Sequence, residues 1–227
     1  MCQTWSELLF AHWPVPVEAM RALVPPELEV DTFENQAWVG VVPFYMSGVR
    51  LRWLPPFPTT SEFPELNLRT YVKHGGKTGV YFFSLEASSW LVVRGARTWY
   101  GLPYFDADMR CDVSEAVKYS SVRKKRRANA AEFQGEYRPD GPVFASQKGT
   151  LEHWLTERYA LFTVDSRRRV NCGEIQHVPW PLQKAWARIE KNEIASASGI
   201  ALPNREPHLL FVKKLDVILW GPRPVVA

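Results

Sequence analysis

The sequence predicts an α+β fold in which mostly antiparallel strands curl into a barrel-like sheet, accompanied by a few short helices. Three observations carry this prediction. Short apolar and β-branched runs recur along the chain between turn residues. Helical spacing is confined to brief segments with recognisable ends. No internal repeat, low-complexity tract or Gly/Ser-rich linker divides the chain, so residues 1–227 are expected to form one domain, at a length single β barrels reach.

Val17, Met20, Ala22 and Leu23 lie at roughly helical spacing, which predicts a short helix from Pro16 to Val24 ended by Pro25-Pro26. Ala37 to Tyr45 is a continuous apolar run suited to a buried strand, broken by Pro43. The proline-rich stretch from Leu54 to Pro64 reads as a surface loop. Leu66–Lys73 and Gly79–Ala87 form a hairpin around the turn residues 74–78. Ser88 or Ser89 caps a helix through about Thr98, which stops before Gly101-Leu102-Pro103. Further strands are expected at Ala116–Arg123, Glu132–Arg138, Tyr159–Val164, Leu182–Glu190 and Leu209–Trp220. Thr150 caps a short helix carrying Leu151, Trp154 and Leu155 on one face, and Asn192 and Gly199 bracket another.

Hydrophobic residues make up 46% of the chain and aromatics 13%, enough for a sizeable core and an aromatic-lined cavity. The formal net charge is only +4, and much of the basic excess sits in Arg123–Arg127 and Arg167–Arg169, so the surface as a whole need not be cationic. Cys2, Cys111 and Cys172 are odd in number and far apart, which argues against a disulfide framework and for a reducing, cytoplasmic setting. The first residues carry neither a basic leader nor a long apolar stretch, and no later segment reaches membrane-spanning length. No Walker loop, G-x-G-x-x-G or G-x-S-x-G elbow is present. His153 and His177 lack neighbouring Asp, Glu or Cys at ligand spacing, so neither a metal nor another cofactor is expected.

The stretch around Glu65 is the most informative. Period-2 alternation puts Glu65, Asn67, Arg69 and Tyr71 on one face and Leu66, Leu68, Thr70 and Val72 on the other. Such a hydrogen-bonding face is either the solvent side of an antiparallel sheet or the wall of a pocket. If it is a wall, Glu65 and Arg69 stand about 13 Å apart along the strand, at roughly 3.3 Å per residue, and bracket a ligand. Arg69 then suits a carboxylate, and Glu65 a proton-transfer or orienting role. His177 and Trp180 frame a proline-rich turn.

The segment Arg97-Thr98-Trp99-Tyr100-Gly101-Leu102-Pro103-Tyr104-Phe105 resembles the signature of the acetoacetate decarboxylase-like superfamily, Arg-Glu-x-x-Gly-(Phe/Tyr)-Pro-Lys-Lys at a helix end. The arginine, glycine and proline match. Thr98 replaces the glutamate, and Tyr104-Phe105 replace the lysine pair whose first member forms the imine in the decarboxylases. Blocks in order along nearly the whole chain are similar to the YqjF-like branch of that superfamily. Among them are His12-Trp13-Pro14-Val15-Pro16, Trp38-Val39-Gly40-Val41-Val42-Pro43-Phe44, Phe63-Pro64-Glu65-Leu66-Asn67-Leu68-Arg69-Thr70-Tyr71-Val72, Leu155-Thr156-Glu157-Arg158-Tyr159 and His177-Val178-Pro179-Trp180-Pro181-Leu182.

The resemblance implies that the Glu65 strand faces a pocket and that Schiff-base chemistry is absent. Glu65 and Tyr104 are then the catalytic candidates, Tyr104 offering a phenol where the family has an amine. Arg69, Asn67, Tyr71, Arg97, His177 and Trp180 are the candidates for contacting ligand, with Arg97 and Arg158 also suited to satisfying helix ends. The expected function is binding, or lyase, hydratase or hydrolase chemistry without an imine, on an anionic carboxylate- or carbonyl-bearing metabolite; self-association is compatible with it. The rival reading is a nucleic-acid or protein interaction module built on the basic loop 123–127.

Overall fold

The structure, a computed structural model, describes residues 1–50, 62–89, 93–94, 101–124 and 129–225. Among these residues, thirteen strands join one sheet. They are β1 (Cys2–Val15), β2 (Glu29–Val30), β3 (Ala37–Arg50), β4 (Phe63–His74), β5 (Lys77–Ala87), β6 (Tyr104–Val113), β7 (Val117–Arg123), β8 (Glu132–Pro139), β9 (Ala160–Val164), β10 (Val170–Gln176), β11 (Gln183–Asn192), β12 (His208–Leu219) and β13 (Arg223–Pro224). Three short helices lying wholly within the described residues accompany them: α1 (Val17–Leu23), α2 (Leu151–Thr156) and α3 (Ile194–Ala197). No helix among the described residues is long and apolar enough to cross a membrane.

The pairings close on themselves. β12, β1, β3, β4, β5, β9 and β10 pair in succession, and β10 returns to β12. A second layer, β6-β7-β8-β11, runs from β5 back to β12. The shared wall β12-β1-β3-β4 is therefore covered on both faces. Period-2 alternation sends Leu9, Ala11, Val39, Val41, Leu66 and Leu68 to the core facing the second layer. Leu8, Phe10, Val42, Phe44 and Met46 point instead into the ring. Among the described residues only β5 with β6 and β5 with β9 pair in parallel; the other pairings are antiparallel, as expected from sequence.

Most predicted elements are present with small shifts in their ends. Thr150 caps α2 through the His153 N–H at 3.3 Å. Gly75 and Gly76, at φ 58° and 76°, make the tight turn of the β4–β5 hairpin, a conformation that favours glycine. The predicted helix from Ser88 or Ser89 to Thr98 lies largely outside the described residues, as does most of the predicted loop 54–64.

Two expectations need correction, and several strands were not anticipated. Pro43 does not break its strand: β3 runs through it, paired to Leu66. The β1–β3 ladder is irregular between Ser6 and Ala11, opposite Pro43, so a residue without an N–H is tolerated there. Phe63 and Pro64 open β4 and do not end a loop. β1, β2, β6, β10 and β13 carry no sequence assignment, yet β1 lies within the wall, paired to both β12 and β3.

Gly40 is cross-strand from both His12 and Arg69. A Cβ there would stand 2.8 Å from His12 Nε2, so the missing side chain is the slot that holds the imidazole. Gly40→Ala is expected to destabilise by about 1–3 kcal/mol through overpacking. Thermal denaturation checks this: an unchanged Tm would show that the His12 ring turns aside freely.

Candidate functional site

The ring encloses a cavity of about 220 Å³. That volume suits a small-molecule occupant. Most of its wall is apolar, with Val42, Phe44, Met46, Leu85, Leu102 and Leu161 among the lining residues. Trp180 makes an edge contact with Phe10 at 5.0 Å and stacks on Trp5 at 6.0 Å, forming an aromatic side. Its indole N–H donates to the Thr156 carbonyl at 2.7 Å, so α2 fixes its position.

β4 delivers the polar groups. Glu65, Asn67 and Arg69 line the cavity at alternate positions. Glu65 is 3% exposed, and the Tyr104 hydroxyl donates to its Oε2 at 2.9 Å. Burial pushes the Glu65 carboxyl up to about 8; the Tyr104 hydrogen bond opposes the shift and the charge of Glu86 adds to it. At neutral pH Glu65 therefore holds a proton. The Tyr119 hydroxyl donates to the Glu65 carbonyl at 2.7 Å from the opposite core, anchoring the strand at that point.

Arg69 is 8% exposed and forms no salt bridge among the described residues. Its guanidinium lies 5.1 Å from the Phe10 ring centroid and 5.9 Å from that of Tyr71, and its Nε is buried with no hydrogen-bond partner. Arg158, just after α2, is a second cation on the wall. It donates from Nη1 to Asp31 Oδ2 and from Nε to the Trp154 carbonyl, each at 2.6 Å, while Nη2 is buried without a partner. Asp31 also receives Lys73 at 2.8 Å, so one carboxylate is shared by two cations.

Tyr71 shares the strand face but not the cavity surface. Both guanidiniums lie within 6 Å of its ring centroid, and its hydroxyl meets His12 Nε2 at 2.6 Å. Burial, reinforced by the charge of Arg69, holds His12 well below the ordinary histidine value, so His12 stays neutral.

His177 lines the cavity between the rings of Tyr159 and Trp180, both 4.7 Å away. Its Nδ1 lies 2.7 Å from the Val178 carbonyl. A carbonyl only accepts, so Nδ1 carries the proton and Nε2 presents a lone pair. Burial lowers the affinity of His177 for a second proton.

The structure thus brings Glu65, Asn67, Arg69, Tyr104, His177 and Trp180 to one cavity. It sets Tyr71 behind Arg69, and Arg97 lies outside the described residues. Gln3, Trp5 and Arg158 on the wall, and His12 behind it, were not expected there. Arg158 and His12 did each stand in a block resembling the YqjF-like branch, the signal available. The basic loop is partly consumed internally: Arg123 is 4% exposed, with Nε and Nη2 donating to buried Glu86, and Lys124 meets Asp108 at 2.7 Å. Residues 125–127 lie outside the described residues.

Residues 2–216 match the DUF2071 family, described as an uncharacterized conserved protein. The chain is 48% identical over 224 residues to the uncharacterized protein YqjF of Bacillus subtilis (strain 168), covering 98% of this chain and 91% of that one. The structure is similar to acetoacetate decarboxylase from Legionella pneumophila, with TM-score 0.64, 13% identity, and coverage of 99% of this chain and 87% of that one. It is also similar to the enduracididine biosynthesis enzyme MppR complexed with pyruvate, with TM-score 0.63, 12% identity, and coverage of 98% and 89%. At such identities the likeness to solved structures establishes the acetoacetate decarboxylase-like fold and no more.

Proposed function

Since the chain belongs to the DUF2071 family and shares the acetoacetate decarboxylase-like fold, we propose that its cavity binds a small carboxylate-bearing metabolite, with Arg69 and Arg158 holding the carboxylate. The observation that carries this reading is Arg69, a buried guanidinium on the cavity wall with no carboxylate partner among the described residues. An unpaired buried charge costs several kcal/mol, and a ligand anion offsets that cost. MppR, a protein of the same fold, has been solved with pyruvate, itself a small carboxylate.

Glu65 and Tyr104 are the proton-handling pair of this reading. A carboxyl that titrates at about 8 can both donate and accept a proton near neutrality, and the Tyr104 hydrogen bond orients it. Such a pair suits lyase, hydratase or hydrolase chemistry at a carbonyl or hydroxyl beside the carboxylate. Imine chemistry has no support: no lysine lines the cavity among the described residues. Lys213 and Lys214 are exposed, and Lys213 pairs with Glu7 at 2.6 Å.

Titration calorimetry with short-chain carboxylates tests the binding reading, which expects saturable binding of the acids and none of the corresponding amides. Borohydride reduction in the presence of acetoacetate tests the chemistry. The intact mass is expected to stay unchanged, and a stable adduct on any lysine would overturn the imine-free reading.

A further inference from the structure

We propose that the ligand is a hydroxy acid and not an oxo acid, an inference that rests on the carboxylate reading above and names the class of molecule. It follows from the direction of the hydrogen bonds the cavity leaves open. Arg69 Nε and Arg158 Nη2 are buried donors without partners, and both call for acceptor oxygens such as those of a carboxylate.

His177 Nε2 and Asn67 Oδ1 are the opposite kind of group: buried acceptors on the same wall, also without partners. The lone pair of His177 Nε2 is fixed there because Nδ1–H is committed to the Val178 carbonyl. Neither acceptor can be satisfied by a ligand ketone, which only accepts. Each calls for an O–H or N–H donor, and a single ligand hydroxyl meets one of the two, relieving the desolvation cost of that buried acceptor. An ammonium group would add a further cation beside two guanidiniums, which leaves a hydroxyl as the donor that fits. The apolar remainder of the wall, Val42, Phe44 and Leu85 among others, suits a short alkyl chain on the same molecule.

The test compares the affinities of butyrate, its 2- and 3-hydroxy derivatives and the matching 2- and 3-oxo acids for the full chain by titration calorimetry. At least one hydroxy acid is expected to bind about ten-fold or more tighter than its oxo counterpart and than butyrate. His177→Phe keeps the ring stacked between Tyr159 and Trp180 but removes the Nε2 acceptor, and is expected to erase most of the preference for the hydroxy acid over butyrate. Asn67→Leu provides a second, independent removal of an acceptor, should the first variant prove unstable. Oxo acids binding as tightly as the hydroxy acids, or a hydroxyl preference untouched in both variants, would overturn the inference while leaving carboxylate binding intact. No binding of any of these acids would instead overturn the carboxylate reading, and the inference with it.

Discussion

Arg69→Met is expected to abolish carboxylate binding while leaving the protein at least as stable as before. The guanidinium is 8% exposed, packed against Phe10 and Tyr71, and bears no salt bridge among the described residues. Removing one partner of a buried charge pair costs roughly 2–5 kcal/mol, so affinity for the acid should fall about 30-fold or more. The apo protein behaves in the opposite sense. Without ligand the buried cation is a liability, and an apolar side chain of similar length is neutral or stabilising by roughly 1–4 kcal/mol. Calorimetric titration and thermal denaturation of the same preparation read both effects. An Arg69 that merely decorated the surface would move neither, and a large loss of stability with binding preserved would mark it as a structural cation.

The second large effect concerns Glu65 and the pH dependence of folding. Its carboxyl titrates at about 8 in the folded protein against 4.5 ordinarily, chiefly because it is buried. A raised pKa means that the folded state binds the proton more tightly than the unfolded chain. Its contribution to stability is therefore fully present below pH 4.5, declines as pH rises, and is lost once pH passes about 8. Across this window each pH unit removes up to about 1.4 kcal/mol. Glu65→Gln keeps an acceptor for Tyr104 and has no proton to lose. The variant should gain on the wild type by on the order of a few kcal/mol between pH 5 and pH 8. Glu86, also pushed up by burial, is present in both proteins, so the difference between them reads Glu65 together with its coupling to Glu86. Parallel stability curves over that interval would show that Glu65 is not held protonated.

What could be read from sequence depended on whether the two faces of a strand differ in chemistry. β4 was legible because its two faces differ in chemistry, Glu65, Asn67 and Arg69 against Leu66, Leu68 and Val72. β1 was not, because Leu8 and Phe10 pack inside the ring while Leu9 and Ala11 pack in the other core. With both faces apolar here, no alternation survives to mark the strand. β6 did carry a signal, with Asp106, Asp108, Arg110 and Asp112 at alternate positions, but it begins inside the segment that reads as a turn signature.

The candidate site divides in the same way. The face of Glu65 came from local spacing, and the placement of Tyr104 beside it came from the family resemblance. The hydrogen bond that joins them is a product of the parallel β5–β6 pairing, which sequence does not encode locally. Arg158 finds Asp31 across 127 residues of chain, and Tyr71 finds His12 across 59. No spacing rule announces partners so far apart, so the second guanidinium and the buried imidazole emerged only from the fold.

A crystal structure of the protein soaked with a short-chain hydroxy acid tests the central claim most directly. The account predicts the acid inside the ring, its carboxylate oxygens within about 3 Å of Arg69 Nε and Arg158 Nη2. Its hydroxyl should lie toward His177 Nε2 or Asn67 Oδ1. An empty cavity at saturating acid, or an acid seated with its carboxylate against Glu65 and away from both guanidiniums, would contradict it.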